Sequence, residues 1–156
     1  MRLHIVAVGR LRSGSESELI SDYRQRAERT GRPLGISSVS VLEVDERKGG
    51  SKAGEAALLA KALPRGATVV AMDERGKVMT SPDFAQRIAG WRDTGTQDLA
   101  FVVGGADGLD PGFVRQADMA LSFGKMVWPH MLARVMLTEQ IYRAASILAG
   151  TPYHRV

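Results

Sequence analysis

Five short apolar runs are spaced along the chain, and the stretches between them are patterned for helices. This alternation limits the possible folds more than any other feature. The runs are Leu3–Val8, Ile36–Val44, Thr68–Met72, Leu99–Val103 and Met119–Ser122. Between them, Ser15–Arg29 carries Leu19, Ile20 and Tyr23 at helical spacing, and Ala53–Leu63 puts Ala56, Leu59, Ala60 and Leu63 on one face. In SPDFAQRIAGW, Ser81 is the expected N-cap and Pro82 the first helical residue. Strands separated by helices can return to the same sheet edge and pair in parallel, so the expected fold is α/β, a largely parallel sheet flanked by helices. No repeat, low-complexity tract or linker divides the 156 residues, which reads as a single domain over 1–156.

The last helical stretch, Met131–Leu148, is different. Leu132, Val135, Met136, Leu137, Ile141, Ala144, Ala145, Ile147 and Leu148 cover most of its circumference rather than one stripe. A helix apolar nearly all round is buried on more than one side. A sheet face accounts for one side, and a second copy of the chain is the commonest cover for the other, so a homodimer is expected.

Composition narrows the chemistry. The net charge of +4 favours an anionic partner, nucleic acid first. With no cysteine, disulfides, thiolate zinc sites and cysteine nucleophiles are excluded. His4, His130 and His154 lack metal-ligand spacing, so no metal is expected, and His4 reads as a strand residue. No run is long enough to span a membrane, and MRLHIVAVGR reads as a buried strand rather than a signal peptide, which implies a cytoplasmic protein.

Three segments could carry function. VVGGADGLDPG, Val102–Gly112, follows the most apolar strand, and the C-terminal ends of strands are where α/β sheets bind ligands. Its spacing is neither GxGxxG nor a Walker loop. GKMVWPH, Gly124–His130, joins a strand to the last helix, with Pro129 at the helix start and Trp128 as a possible pocket wall. The chain closes on TPYHRV, which sets a ring, an imidazole and a guanidinium side by side. DERKGGSK, Asp45–Lys52, reads as a mobile charged loop, either a solvated connection or an RNA contact. Asp73 and Glu74 read as surface carboxylates after a strand.

Taken in order, MDERGK, VVGGADGL and WPHMLARVMLTEQIYRAASILAGTPYHR resemble the RlmH family of SPOUT-class methyltransferases, and the resemblance runs the length of the chain. The chain departs from the family's pattern at its final residue, Val156, where Gly or Glu is expected. The resemblance implies a sheet whose C-terminal segment is threaded into a trefoil knot, a topology nearly absent among folds. It implies S-adenosylmethionine bound by Met72, Asp73, Gly104, Gly105, Phe123, Gly124, Lys125, Met126, Val127, Trp128 and Pro129, in a homodimer. It also implies methylation of N3 of a pseudouridine in 23S rRNA, on the ribosome, with the tail at the site.

Attack by that nitrogen requires alignment, loss of its proton and stabilisation of the charge that results. His154 titrates in the range of a base, Arg155 or Arg143 can stabilise negative charge or hold phosphate, and Tyr153 can stack on an extruded base. Two other classes fit the same residues. One is a non-catalytic RNA- or ribosome-binding module of this fold. The other is a small-molecule enzyme holding a phosphate-bearing cofactor on Gly104–Gly108.

Overall fold

The computed structural model describes residues 1–155; the departure at Val156 lies outside them. Five strands form one sheet: β1 (Arg2–Val8), β2 (Ser38–Val44), β3 (Thr68–Lys77), β4 (Asp98–Val103) and β5 (Met119–Leu121). The order is β2-β1-β4-β3-β5 and every pairing is parallel. The helices are α1 (Ser15–Gly31), α2 (Glu46–Gly49), α3 (Lys52–Ala62), α4 (Ser81–Asp93), α5 (Pro111–Gln116) and α6 (His130–Ala149), with a 3-10 turn over Arg32–Leu34.

Alternation along β1 builds the two layers. Leu3, Ile5 and Ala7 point to the face packed with residues of α1, α4 and α6, among them Ala27, Ile88 and Ile141. Val6 and Val8 point to the opposite face with Leu59 and Leu109. β4 is the central strand and is buried along its whole length, as a strand covered on both faces must be.

Some expectations need correction. Ile36 is buried but precedes the sheet: its N–H caps the end of α1 by donating to Gly31 O (3.0 Å), and β2 starts two residues later. Ser81 is the first helical residue of α4, and the cap is Thr80, whose hydroxyl accepts from Asp83 N (3.1 Å). Asp45–Lys52 is a built corner rather than a mobile loop. Asp45 caps α2 through Arg47 N (3.0 Å), and Ser51 caps α3 through Gly54 N (3.0 Å). A Cβ on Gly54 would lie 1.8 Å from Gly49 O, so only glycine lets the two helices meet there.

α6 is not apolar throughout. Its inner face buries Leu137, Ile141, Ala144 and Ala145 together with Arg134, Thr138 and Ser146. Its outer stripe, Leu132, Val135, Met136, Glu139 and Arg143, stays partly or fully exposed. Arg134 is 1% exposed and closes the C-terminal end of β1. It donates to Val8 O (3.2 Å), Gly9 O (3.0 Å) and Glu43 Oε2 (2.7 Å). At the other end of the sheet Arg2 grips Asp98 through two bonds of 2.7 Å, and His4 bridges Asp98 (2.8 Å) and Ser40 (2.9 Å). Among the described residues, no helix is long and apolar enough to cross a membrane.

Candidate active site

The C-terminal ends of β4, β3 and β5 open into one cleft of about 820 Å³, a volume suited to a cofactor-sized molecule. Three loops far apart in sequence meet there. Met72 and Asp73 come from β3, Gly104 and Gly105 follow β4, and Phe123, Gly124 and Met126–Pro129 follow β5. Of the expected cofactor residues only Lys125 is absent from the lining; it is exposed beside it. Lys52, Arg75, Asp107 and His130 also line the cleft and were not singled out from the sequence as ligands.

Local backbone chemistry shapes each loop. Gly104 lies so close to the returning chain that a Cβ would sit 2.6 Å from Gly108 C and 2.8 Å from Leu109 N. Gly105 and Gly108 close the turn through Gly108 N–H to Gly105 O (3.0 Å). A Cβ on Gly105 would meet Val8 Cγ1 (3.3 Å) and the Glu55 carboxylate (3.4 Å). That position therefore faces the protein wall rather than the open cleft. β3 and β5 lose register between Met72 and Lys77, and the intervening bulge sets Asp73, Glu74 and Arg75 on the rim. So Asp73 and Glu74 lie within β3 rather than after it.

The Asp73 carboxylate is mostly buried and accepts from Arg75 N (2.8 Å) and Nε (3.1 Å). The Arg75 side chain holds it below the usual carboxylate range. Buried Ser122 fixes the third loop: its hydroxyl accepts from Gly124 N (3.0 Å) and lies 3.0 Å from Glu74 O. Met126 and Val127, 77% and 79% exposed, form with half-covered Trp128 an apolar wall open on its outer side.

The tail forms a second cluster, at the far end of α6. Glu139 organises it. Arg143 donates two bonds to Glu139 Oε1 (2.6 and 3.1 Å), and the Tyr153 hydroxyl donates to the same oxygen (2.8 Å). Glu139 raises the pKa of Arg143, and burial followed by the Glu139 bond pushes the Tyr153 phenol well above its ordinary value. The Tyr153 ring packs against Tyr142 (4.5 Å between centroids) and under the Arg143 guanidinium (4.8 Å). Those neighbours leave Tyr153 anchoring the tail rather than free to stack on a base.

Arg143 Nη1 also lies 3.2 Å from His154 Nδ1. A guanidinium only donates, so Nδ1 is the acceptor and the ring proton sits on Nε2. Nε2 is covered and has no hydrogen-bond partner among the described residues. His154 thus carries its N–H on a covered nitrogen, with Nδ1 engaged by Arg143. Arg155 is exposed.

The cleft and the tail do not meet within one chain. His130 borders the cleft and Arg143 holds the tail, and 13 residues of helix at about 1.5 Å each set them about 20 Å apart along α6. Among the described residues, no group of three or more His, Cys, Asp or Glu side chains could hold a metal ion.

A family model described as "Predicted SPOUT methyltransferase" matches residues 1–154. A protein of Dinoroseobacter shibae named ribosomal RNA large subunit methyltransferase H is 65% identical over 156 residues, covering 100% of both chains. A protein of the same name from Ruegeria pomeroyi is 63% identical over 156 residues, again covering 100% of each. Among solved structures, the SpoU methyltransferase AviRb from Streptomyces viridochromogenes, in complex with the cofactor AdoMet, aligns at TM-score 0.43 and 17% identity. The alignment covers 90% of this chain and 56% of that one.

Proposed function

The chain belongs to the SPOUT methyltransferase family, and from that premise we propose that it methylates N3 of a pseudouridine in large-subunit (23S) ribosomal RNA with S-adenosylmethionine as donor. The observation that carries this reading is the single cleft into which three separated loops converge. The lining fits the cofactor. Met72, Met126 and Trp128 offer apolar surface for an adenine ring, and Gly104 and Gly105 line the cleft with backbone. Asp73 and Asp107 supply carboxylates for hydroxyl or ammonium groups. When bound, the cofactor supplies a methyl group on a sulfonium, already activated for transfer. The N3 proton passes to water, and what remains for the chain is to align the nucleotide and to stabilise the charge left on the ring.

Those tasks fall to the tail. A deprotonated uracil ring spreads its charge over the carbonyl oxygens beside N3. The exposed guanidinium of Arg155 is a donor suited to such oxygens, and the covered Nε2–H of His154 becomes a second one when the bound RNA shifts the tail and uncovers it. Arg143 is committed to Glu139 and orients His154 rather than touching substrate. Because the tail lies far from its own cleft, the site is completed by a second copy in a homodimer. The outer stripe of α6, with Leu132 42% exposed, is the face it would use. The chain acts as one domain, its C-terminal segment threaded as a trefoil knot, in the cytoplasm and on the assembled ribosome.

The test joins cofactor binding to product. S-adenosylmethionine at 100 times its dissociation constant is expected to stabilise the fold by about 2.7 kcal/mol, and NAD to do nothing. Ribosomes lacking the modification are expected to gain one methyl group, read by mass spectrometry of the 23S RNA. No stabilisation at millimolar cofactor would overturn the cofactor assignment. Binding without transfer would leave a non-catalytic ribosome-binding module. Sedimentation equilibrium showing only the 16.9 kDa species at micromolar concentration would overturn the dimer.

A further inference from the structure

A second cleft, of about 700 Å³, opens beside the first where β1 and β2 end. Four cations line it, Arg10, Arg12, Arg47 and Lys48, and all four are exposed. Three carboxylates also line it, but two are spent on the protein itself. Glu43 accepts from buried Arg134 (2.7 Å) and from Leu11 N (2.6 Å). Asp45 is paired with Arg47 (3.1 Å) and held below its ordinary range by that side chain. The remaining charges are Arg10, Arg12 and Lys48 against Glu46 alone. Those three cations have no salt-bridge partner among the described residues.

The two clefts share no lining residue, but neighbouring segments border them. Residues 45–48 wall the second and Lys52, four positions on, walls the first. Glu46 and Met131 approach the same point at Gly9, 3.7 and 3.6 Å from where its Cβ would lie. The residue before Met131, His130, borders the first cleft. The platform is firm, because Asp45 and Ser51 cap its helices and Gly54 seats against Gly49.

We propose that this second cleft docks the phosphate backbone of the substrate RNA, next to the nucleotide presented to the first. The cations come from two separate segments, Arg10 and Arg12 after β1 and Arg47 and Lys48 in α2, and all are exposed. A small phosphate ligand calls for convergence on one point, and a track of separated cations matches a charged strand. The proposal rests on the RNA-methylating reading above, and it deepens it by assigning Arg10, Arg12 and Lys48 as phosphate contacts.

The experiment compares two triple variants with the same change in net charge. One is Arg10→Ala, Arg12→Ala, Lys48→Ala. The control is Arg29→Ala, Lys61→Ala, Arg65→Ala, three exposed cations away from both clefts. Binding of labelled protein to ribosomes lacking the modification is measured from 50 to 200 mM salt at fixed magnesium.

Each lost phosphate contact is expected to lower the slope of log affinity against log salt by about 1. With a slope change of about 2–3, the wild-type advantage over the cleft variant shrinks about 15–60-fold across that range. The control is expected to keep the wild-type slope, and both variants to keep wild-type cofactor affinity by calorimetry. Equal slopes for the two triples would overturn the proposal, as would a cleft variant with the wild-type slope. Wild-type protein that binds ribosomes with this salt dependence but transfers no methyl group would instead overturn the reading on which the proposal rests.

Discussion

The two ends of the sheet are built from the same strands and do opposite work. At the N-terminal edge Arg2, His4, Ser40 and Asp98 form a closed network, and its polar groups bond to one another. At the C-terminal edge β4 runs into glycines, β3 bulges, and Met126, Val127 and Trp128 form a wall left largely open to solvent. β1 and β4 contribute to both ends, so strand identity does not decide where a site lies. What decides is whether the edge satisfies itself. A bidentate ion pair, two bonds of 2.7 Å, sits at the end away from the two clefts described above.

The largest expected effect comes from breaking the open edge in two complementary ways. Gly104→Val must displace the backbone of Gly108 and Leu109, and it is expected to abolish cofactor binding and methyl transfer. Deleting Tyr153–Val156 is expected to abolish transfer while sparing cofactor binding. If cleft and tail come from different copies, mixing the two dead proteins restores activity. Random reassociation makes half the dimers mixed, each with one intact site of two, so about a quarter of wild-type activity is expected. No recovery after mixing would place cleft and tail in the same chain.

A smaller effect sharpens the chemistry of the tail. His154→Ala is expected to cost about 10²–10³ in the single-turnover rate, the range for losing one oriented donor. Glutamine places an amide N–H near the Nε2 position, so His154→Gln is expected to stay within about tenfold of wild type. If His154 is the base instead, glutamine is as poor as alanine.

The smallest effect belongs to the closed edge. Asp98 is held at about 2, first by the Arg2 hydrogen bond. A lowered carboxylate pKa contributes stability that is full above the unfolded value near 4 and is lost as pH falls toward 2. Because Arg2 is half exposed, about 1–2 kcal/mol is expected, less in high salt. Asp98→Asn is expected to flatten the pH dependence of denaturant unfolding between pH 4 and 2 and to leave methyl transfer unchanged. A loss of transfer would erase the contrast between the two edges.

The strands were legible because apolar runs in a parallel sheet are unbroken, as in Leu99–Val103. α2 and α5 were not, since helices of four and six residues carry too few turns to show a period. Asp45–Lys52 looked mobile because its capping residues, Asp45 and Ser51, are the same types that mark loops. The loops expected to hold a cofactor could be named from the family resemblance, but only the folded chain brings Gly104 and Trp128 to one cleft. Glu139 and Arg134 escaped notice because a charged residue in an apolar helix reads as its solvent face. Both are held by partners distant in sequence: Tyr153 lies 14 residues from Glu139, and Val8 lies 126 from Arg134. The proton on His154 Nε2 follows from a neighbour eleven residues away, which no local pattern encodes.

The Arg134 clasp on the end of β1 also sets a clock. β1 is the first strand to be synthesised, yet β4, its partner across the centre of the sheet, begins 96 residues after Arg2. The side chain that caps its last carbonyls arrives 126 residues after Val8. At about 5–20 residues per second, a newly made β1 waits about 6–25 s for that cap. Through most of this interval a strand apolar from Ile5 to Val8 has an unpaired edge, the situation in which chains stick to one another. Contacts this distant in sequence also slow the folding search itself. A nascent chain stopped before Arg134 therefore leaves its oldest strand unfinished, and quality control would meet it as an unprotected edge.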